Sequence, residues 1–247
     1  MKQNIYDDPA FFEGYINLRK KENSLNMVLE EPAMNKLLPA LKGLTILDAG
    51  CGFGKNCKYF AGHGAREVTG IDISSRMIDL AMKTNAGDNI YYINTALEDA
   101  SFEEGSFDLI VSSLTLHYIE DYAALVKKMY SWLKSGGRLN FSVEHPVATA
   151  LPEQKWVMDD QRNKKYWPID NYGLQGPRNT KWFVDHVIKY HRTIECYVNV
   201  LLKQGFELLS LSEPIPDIEL IKDQPDLELF VRRPAFLLIS AMRSTKT

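Results

Sequence analysis

The sequence predicts a doubly wound α/β domain built on a mainly parallel sheet. Apolar runs alternate with amphipathic stretches over the first 145 residues, and the stretches are long enough for crossover helices. A glycine-rich turn, ILDAGCGFGKN at 46–56, directly follows the first apolar run. A strand, a bare turn and a helix start in that order form the usual ligand-binding edge of such sheets.

The predicted strands are TILDA (45–49), EVTGID (67–72), IYYINT (90–95), FDLIVSS (107–113) and RLNFSV (138–143). Helical patterns lie between them: GKNCKYFAGHG, SSRMIDLAMKTN and DYAALVKKMYSWLKSGG. In the last, Leu125, Met129, Trp132 and Leu133 form one buried stripe, and Ser135-Gly136-Gly137 reads as its C-cap. After Val143 the pattern breaks. Residues 144–189 are rich in Pro, Asn, Gln and aromatics, too apolar for disorder and too irregular for another strand–helix unit. We expect one domain over 1–247, with 144–192 inserted as a lid. TIECYVNVLLKQGF then reads as a helix capped by Thr193 and stopped at Gly205. FELLSLS (206–212) and AFLLISAM (235–242) have no predicted helix between them, so they should pair antiparallel at one sheet edge.

Composition narrows the function. A chain of 247 residues, 45% hydrophobic and 25% charged, is expected to be globular and soluble. A net charge of −3 offers no basic field for nucleic acid or membrane surfaces. Three cysteines without a C-x-x-C pair suggest neither a disulfide framework nor a metal site. The N-terminus lacks a signal-peptide core and no run approaches a membrane span, so the cytoplasm is the expected compartment.

The glycine spacing discriminates among nucleotide cofactors. A dinucleotide site needs G-x-G-x-x-G, but the glycines here are Gly50, Gly52 and Gly54, with Lys55 where the last should stand. A P-loop is excluded because no G-K-[ST] closes the turn. Asp48, two residues upstream, would repel a pyrophosphate and would suit a ligand carrying an ammonium group. Cys51 fits the turn as a small residue. Asp72 ends the second strand 22 residues beyond Gly50, near the spacing of an acid that accepts ribose hydroxyls. It could instead cap the next helix, a role open equally to Ser74 or Ser75. Leu97 and Glu98 could meet an adenine edge, or Glu98 could be a solvated loop acid.

D-A-G-C-G-F-G, then G-I-D-I-S-x-x-M, then L-E-D-A-S-F-x-x-G-S-F-D-L-I resemble the class I S-adenosylmethionine-dependent methyltransferases. SSLTLHYIEDY and LKSGGRLNFSVEHP resemble the small-molecule branch of that family. The resemblance runs from about Ile46 to Val143. It implies a Rossmann-like, seven-stranded sheet whose last strand is antiparallel, with S-adenosyl-L-methionine as cofactor. It also implies an ammonium near Asp48 and the Gly50–Gly52 backbone, ribose on Asp72, and adenine against Ile73, Leu97 and Glu98. Met77 completes the second motif, and Ser112, Ser113 and His117 would line the cofactor after the fourth strand. Ala96 departs from the family, standing where relatives carry an acid. In similar enzymes an N-terminal aromatic and arginine close over the cofactor, which points to Tyr15 and Arg19; a packed tyrosine beside a surface arginine is the alternative.

Methyl transfer mainly needs the acceptor aligned and water excluded. A base is required only where the acceptor must lose a proton. His145 and His191, at the two ends of the insertion, are the candidate bases, although His191 could merely serve the following helix. His117 could equally be structural. No Asn-Pro-Pro-Tyr or Asp-Pro-Pro-Tyr follows the fourth strand, which argues against methylation of a nucleobase amine. The expected partner is a small molecule, not nucleic acid or membrane. The insertion's aromatics would cover it, or else form a small core of their own. The rival readings are a non-catalytic S-adenosylmethionine binder or sensor and, less favoured, an NAD-dependent oxidoreductase.

Overall fold

The computed structural model describes residues 2–21 and 23–245. Five strands run in the predicted order: β1 (Thr45–Ala49), β2 (Glu67–Asp72), β3 (Ile90–Asn94), β4 (Phe107–Ser113) and β5 (Leu133–Glu144). After an insertion come β10 (Phe206–Ser212) and β11 (Phe236–Arg243), giving a seven-stranded sheet ordered β10-β11-β5-β4-β1-β2-β3. β11, last in the chain, lies antiparallel between β5 and β10. The other neighbouring pairs, from β5 to β3, are parallel. Direction of progress along the sheet reverses at β1, between β2 and β4, which opens a crevice at the strands' carboxyl ends.

β1 is buried at every position because both faces of the sheet are covered. Ile46 faces one core, beside α2 (Glu31–Leu37) and α3 (Lys55–Gly62). Leu47 and Ala49 face the other, filled by α5 (Tyr122–Trp132) and α7 (Ile194–Gln204). α1 (Pro9–Arg19) starts behind the cap Asp8, and α4 (Ser75–Thr84) behind Ser74, whose hydroxyl accepts the Met77 N–H. Thr193 caps α7 in the same way, and Gly205 ends it at φ 99°.

Two boundaries differ from expectation. α5 stops at Trp132, and Leu133 is already extended and pairs with Phe107. The Ser135-Gly136-Gly137 stretch is therefore an irregularity at the start of β5, not a helix cap; Gly136 takes φ 77° there. Between β10 and β11 the chain forms α8 (Ile218–Asp223) and α9 (Leu229–Arg232), both too short to leave a periodic signature.

The insertion has its own architecture. α6 (Pro146–Thr149) leads into a small hairpin, β6 (Val157–Met158) with β7 (Lys164–Tyr166), then a longer one, β8 (Gly176–Trp182) with β9 (Val184–His191). Trp182 and Phe183 at the tip of the second hairpin meet Phe11 of α1 edge-on, at 5.3 and 5.5 Å between ring centres. Gly14 leaves the space, since a Cβ there would lie 2.6 Å from the Phe183 ring. Among the described residues no helix is long and apolar enough to cross a membrane, and no group of three or more His, Cys, Asp or Glu could hold a metal ion.

Candidate active site

A cavity of about 970 Å³ opens at the carboxyl ends of β1, β2 and β4, bounded by the N-terminal segment and the β8–β9 hairpin. The three glycines of the turn at its floor answer three separate demands, and Gly50 and Gly52 line the cavity. Gly50 (φ 83°) packs against Thr115, whose Oγ1 would lie 2.2 Å from an added Cβ. Gly54 (φ 81°) packs under Tyr92, whose hydroxyl would lie equally close. Gly52 (φ 52°) meets nothing within 4 Å, so a side chain there would project into open space beside the cavity. The turn is pinned because the Gly50 and Cys51 N–H groups both donate to the Ile71 carbonyl, each at 2.9 Å.

Asp72 lines the cavity and organises it. One oxygen accepts the Gly52 N–H and the other the Ser74 N–H, both at 2.9 Å. Burial lifts its pKa to about 6, while those two N–H groups pull it back. Because Ser74 is the cap of α4, Asp72 is free of that duty. Asp48 lies fully buried beneath the turn. Its Oδ2 accepts the Cys57 thiol at 3.3 Å, its Oδ1 has no partner, and burial raises its pKa to about 7. A buried carboxylate below a bare backbone turn would lend negative potential to a cationic ligand above it.

The cavity also gathers Tyr15, Arg19, Gly50, Cys51, Gly52, Ile73, Leu97, Glu98, Ser113 and His117. Arg19 donates to Glu31 at 3.1 Å, and Lys55 holds the other Glu31 oxygen at 2.7 Å. His117 is buried, which depresses its pKa to about 4; its Nδ1 accepts the Glu144 N–H at 3.4 Å.

Five expected site residues lie outside the cavity lining. Asp48 is beneath it, Met77 is in the core under α4, and Ser112 donates inward to the Ala49 carbonyl at 2.8 Å. His145 is buried against Glu213 at 2.6 Å, and its Nδ1 accepts the Val147 N–H. His191 is held between Thr149 Oγ1 and the Tyr172 carbonyl. His145 is thus engaged by a residue beyond β10 and His191 by residues of the insertion, and neither lines the cavity.

Several lining residues escaped the sequence reading. Glu30, on a π-helical turn at Asn26–Glu30, is buried and accepts the Ser142 hydroxyl at 2.6 Å. Burial raises its pKa. Leu114 adopts φ 52°, rare for a bulky residue, and is held there by its N–H to Ser142. Glu144 and Lys189 form an ion pair at 2.5 Å. Glu144, at the end of β5, was legible in principle from its strand-end position; Lys189 carried no local signal.

A parallel sheet with one antiparallel strand, and a glycine turn whose neighbours fit a cationic nucleoside rather than a pyrophosphate, define the methyltransferase class of nucleotide-binding folds. Residues 47–141 match the methyltransferase-domain family. A solved S-adenosylmethionine-dependent methyltransferase from Mesorhizobium loti is 37% identical, covers 90% of this chain and 99% of its own, and superposes at a TM-score of 0.82. A Listeria monocytogenes protein assigned to the same class is 43% identical, with 87% and 96% covered and a TM-score of 0.83. A malonyl-[acyl-carrier protein] O-methyltransferase of Enterobacter lignolyticus is 33% identical over 53% of this chain and 51% of its own length. The chain belongs to the S-adenosylmethionine-dependent methyltransferases: it is an enzyme of that family, and S-adenosyl-L-methionine is its cofactor.

Proposed function

We propose that this methyltransferase acts on a small-molecule acceptor, enclosed between the sheet's carboxyl edge and the insertion at 144–192. The observation that carries the reading is one cavity with two kinds of wall. Its glycine-turn end is acidic and backbone-rich; the other end is aromatic, from Tyr6, Tyr118 and Trp182. Cavities of this size suit small ligands.

Gly50, Cys51, Gly52 and Ser113 would hold the methionine part of the cofactor, with Asp48 supplying negative potential from below. Arg19 and Tyr15 would close over its carboxylate, which competes with Glu31 for the Arg19 guanidinium. Asp72 would accept the ribose hydroxyls, and Ile73, Leu97 and Glu98 would flank the adenine. When bound, the cofactor supplies an electrophilic methyl group on a sulfonium. The chain's own task is to exclude water and orient the acceptor. His117 stays neutral at physiological pH and its Nδ1 is already engaged, so it serves as a hydrogen-bond donor through Nε2 and not as a base. We therefore favour alignment over general-base catalysis. The net charge of −3 and three free cysteines support a cytoplasmic enzyme without nucleic-acid or membrane partners.

The test is a metabolite screen for release of S-adenosylhomocysteine, starting with oxygen acceptors because the Enterobacter relative is an O-methyltransferase. Turnover is expected with a free small molecule. Transfer confined to protein, carrier-bound or nucleic-acid substrates would overturn the reading.

A further inference from the structure

At the aromatic end of the cavity, Lys189 is 4% exposed yet reaches the lining. Of its three ammonium donors, one is taken by Glu144 at 2.5 Å. The ammonium lies 4.8 Å from the Trp182 ring centre and 5.9 Å from that of Tyr118. Rings attract a cation but do not use up its N–H groups as a carboxylate would. His117 lines the same end, and because its Nδ1 accepts the Glu144 N–H, its Nε2 carries the proton. Two donors, an ammonium and an imidazole N–H, thus line the cavity beside two aromatic rings. Tyr6 extends that wall, its ring centre 6.1 Å from Tyr118 and edge-on to it.

The geometry points to an acceptor subsite for a planar aromatic acid, with its anionic oxygens held by Lys189 Nζ and His117 Nε2 and its ring against Trp182 and Tyr118. This rests on the methyl-transfer reading above and names the substrate class of the same site. Glu144 does not argue for a cationic ligand, since it already holds Lys189. The other carboxylates here have partners elsewhere: Glu98 and Glu120 lie towards Tyr190, and Asp121 caps α5 by accepting the Ala124 N–H. A buried ammonium whose one counter-ion leaves two donors open gains from a second oxygen partner, whereas a ligand ammonium would be repelled by it. The ring is recognised by stacking or edge contacts, which fixes its plane relative to the cofactor end.

The test uses the full-length protein saturated with S-adenosylhomocysteine, titrated calorimetrically with 2-naphthoate, 2-naphthamide and 2-naphthylmethylammonium. We expect naphthoate to bind at least tenfold more tightly than the amide, and the ammonium probe to bind more weakly than either. The variant Lys189→Met with Glu144→Gln keeps volume and removes both charges together, so no lone buried charge remains. It should lose the tenfold preference while affinity for S-adenosylhomocysteine stays within about twofold. Equal binding of acid and amide, preference for the ammonium probe, or an undiminished preference in the double variant would each overturn the subsite. The wild-type ranking of the three probes decides the matter even if the double variant does not fold. The prior titration with S-adenosylhomocysteine separates the two ideas: absence of that binding removes the methyl-transfer reading, whereas binding without naphthoate preference removes only the subsite.

Discussion

Asp72 spends one lone pair of each carboxylate oxygen on a backbone N–H, at Gly52 and Ser74, and retains others for a ligand. Hydrogen bonds to a charged partner contribute roughly 1.5–3 kcal/mol each, and 1.4 kcal/mol is about tenfold in affinity. Asp72→Ala should therefore weaken S-adenosylhomocysteine binding by at least about tenfold in calorimetry; an unchanged dissociation constant would confine Asp72 to holding the turn. Protonation gives a second expectation. Burial sets Asp48 near 7 and Asp72 near 6. Between about pH 4 and 7 the folded protein keeps protons on these acids that the unfolded chain has released, so they cost stability as pH rises. His117 acts in the opposite sense: its pKa near 4 gives stability that is complete above about 6.5 and lost as pH falls. In the proposed binding mode the cofactor's ammonium and hydroxyls would favour the ionised carboxylates. The rise in Tm caused by S-adenosylhomocysteine should thus grow from pH 5 to 8, with proton release on binding, and Asp48→Asn should flatten the trend. A Tm increment independent of pH in the wild type would count against this electrostatic role.

The glycine turn is the element on which the site depends, and its positions should respond differently to the same change. Gly50→Ala adds a Cβ at φ 83° and directs it into Thr115, so strain and collision both fall on the fold. A left-handed conformation costs a non-glycine residue about 1–2 kcal/mol before the collision is added. A drop of several degrees in Tm is expected. Gly52→Ala meets no protein atom, so at φ 52° it carries the left-handed cost of about 1–2 kcal/mol without a collision. Its stability should fall less than that of Gly50→Ala while its cofactor affinity falls, because in the proposed binding mode the new methyl would occupy space the ligand needs. Thermal melts with and without S-adenosylhomocysteine distinguish the two. Equal losses of stability in both variants would show that the turn tolerates neither side chain for fold reasons alone.

Across the whole molecule, the N-terminal segment and the β8–β9 hairpin close on the cavity from two sides and touch each other. Trp182 meets both Phe11 and Tyr15, and Gln3 bonds to the backbone of His186 and Ile188. Asp7 ties the same segment to α4 by accepting from Ser74 Oγ at 2.6 Å and the Arg76 N–H at 3.2 Å. Two elements that share an interface and a ligand should gain protection together. Hydrogen exchange in 3–19 and 176–191 should slow in concert on adding S-adenosylhomocysteine. Trp182→Ala should diminish that protection in both segments and speed cofactor release. Slowing confined to one segment would separate them. The insertion's other two tryptophans take no part: Trp156 and Trp167 pack edge-on at 5.4 Å, with Arg232 and Arg233 over their rings. Some of the insertion's aromatics thus build a core of their own, and Trp182 faces the cavity.

The central fold was legible in the sequence because its signals are local. β1, β2, β4 and β10 have the bounds that their apolar runs predict, Thr193 and Gly205 bracket α7, and the spacing of Gly50, Gly52 and Gly54 argues against a dinucleotide before any contact is known. A strand end, a cap and a bare turn each depend on a few adjacent residues. Tertiary structure alone decided the far wall of the cavity. Glu144 meets Lys189 across 45 residues, Ser142 meets Glu30 across 112, and Trp182 reaches Phe11 only because a hairpin folds back over α1. It also took His145 and His191 out of reach, since Glu213, Thr149 and Tyr172 engage them first. Conformational preference and periodicity act within a few residues of the chain, whereas burial and charge pairing act through space between segments whose separation in sequence leaves no trace at either end.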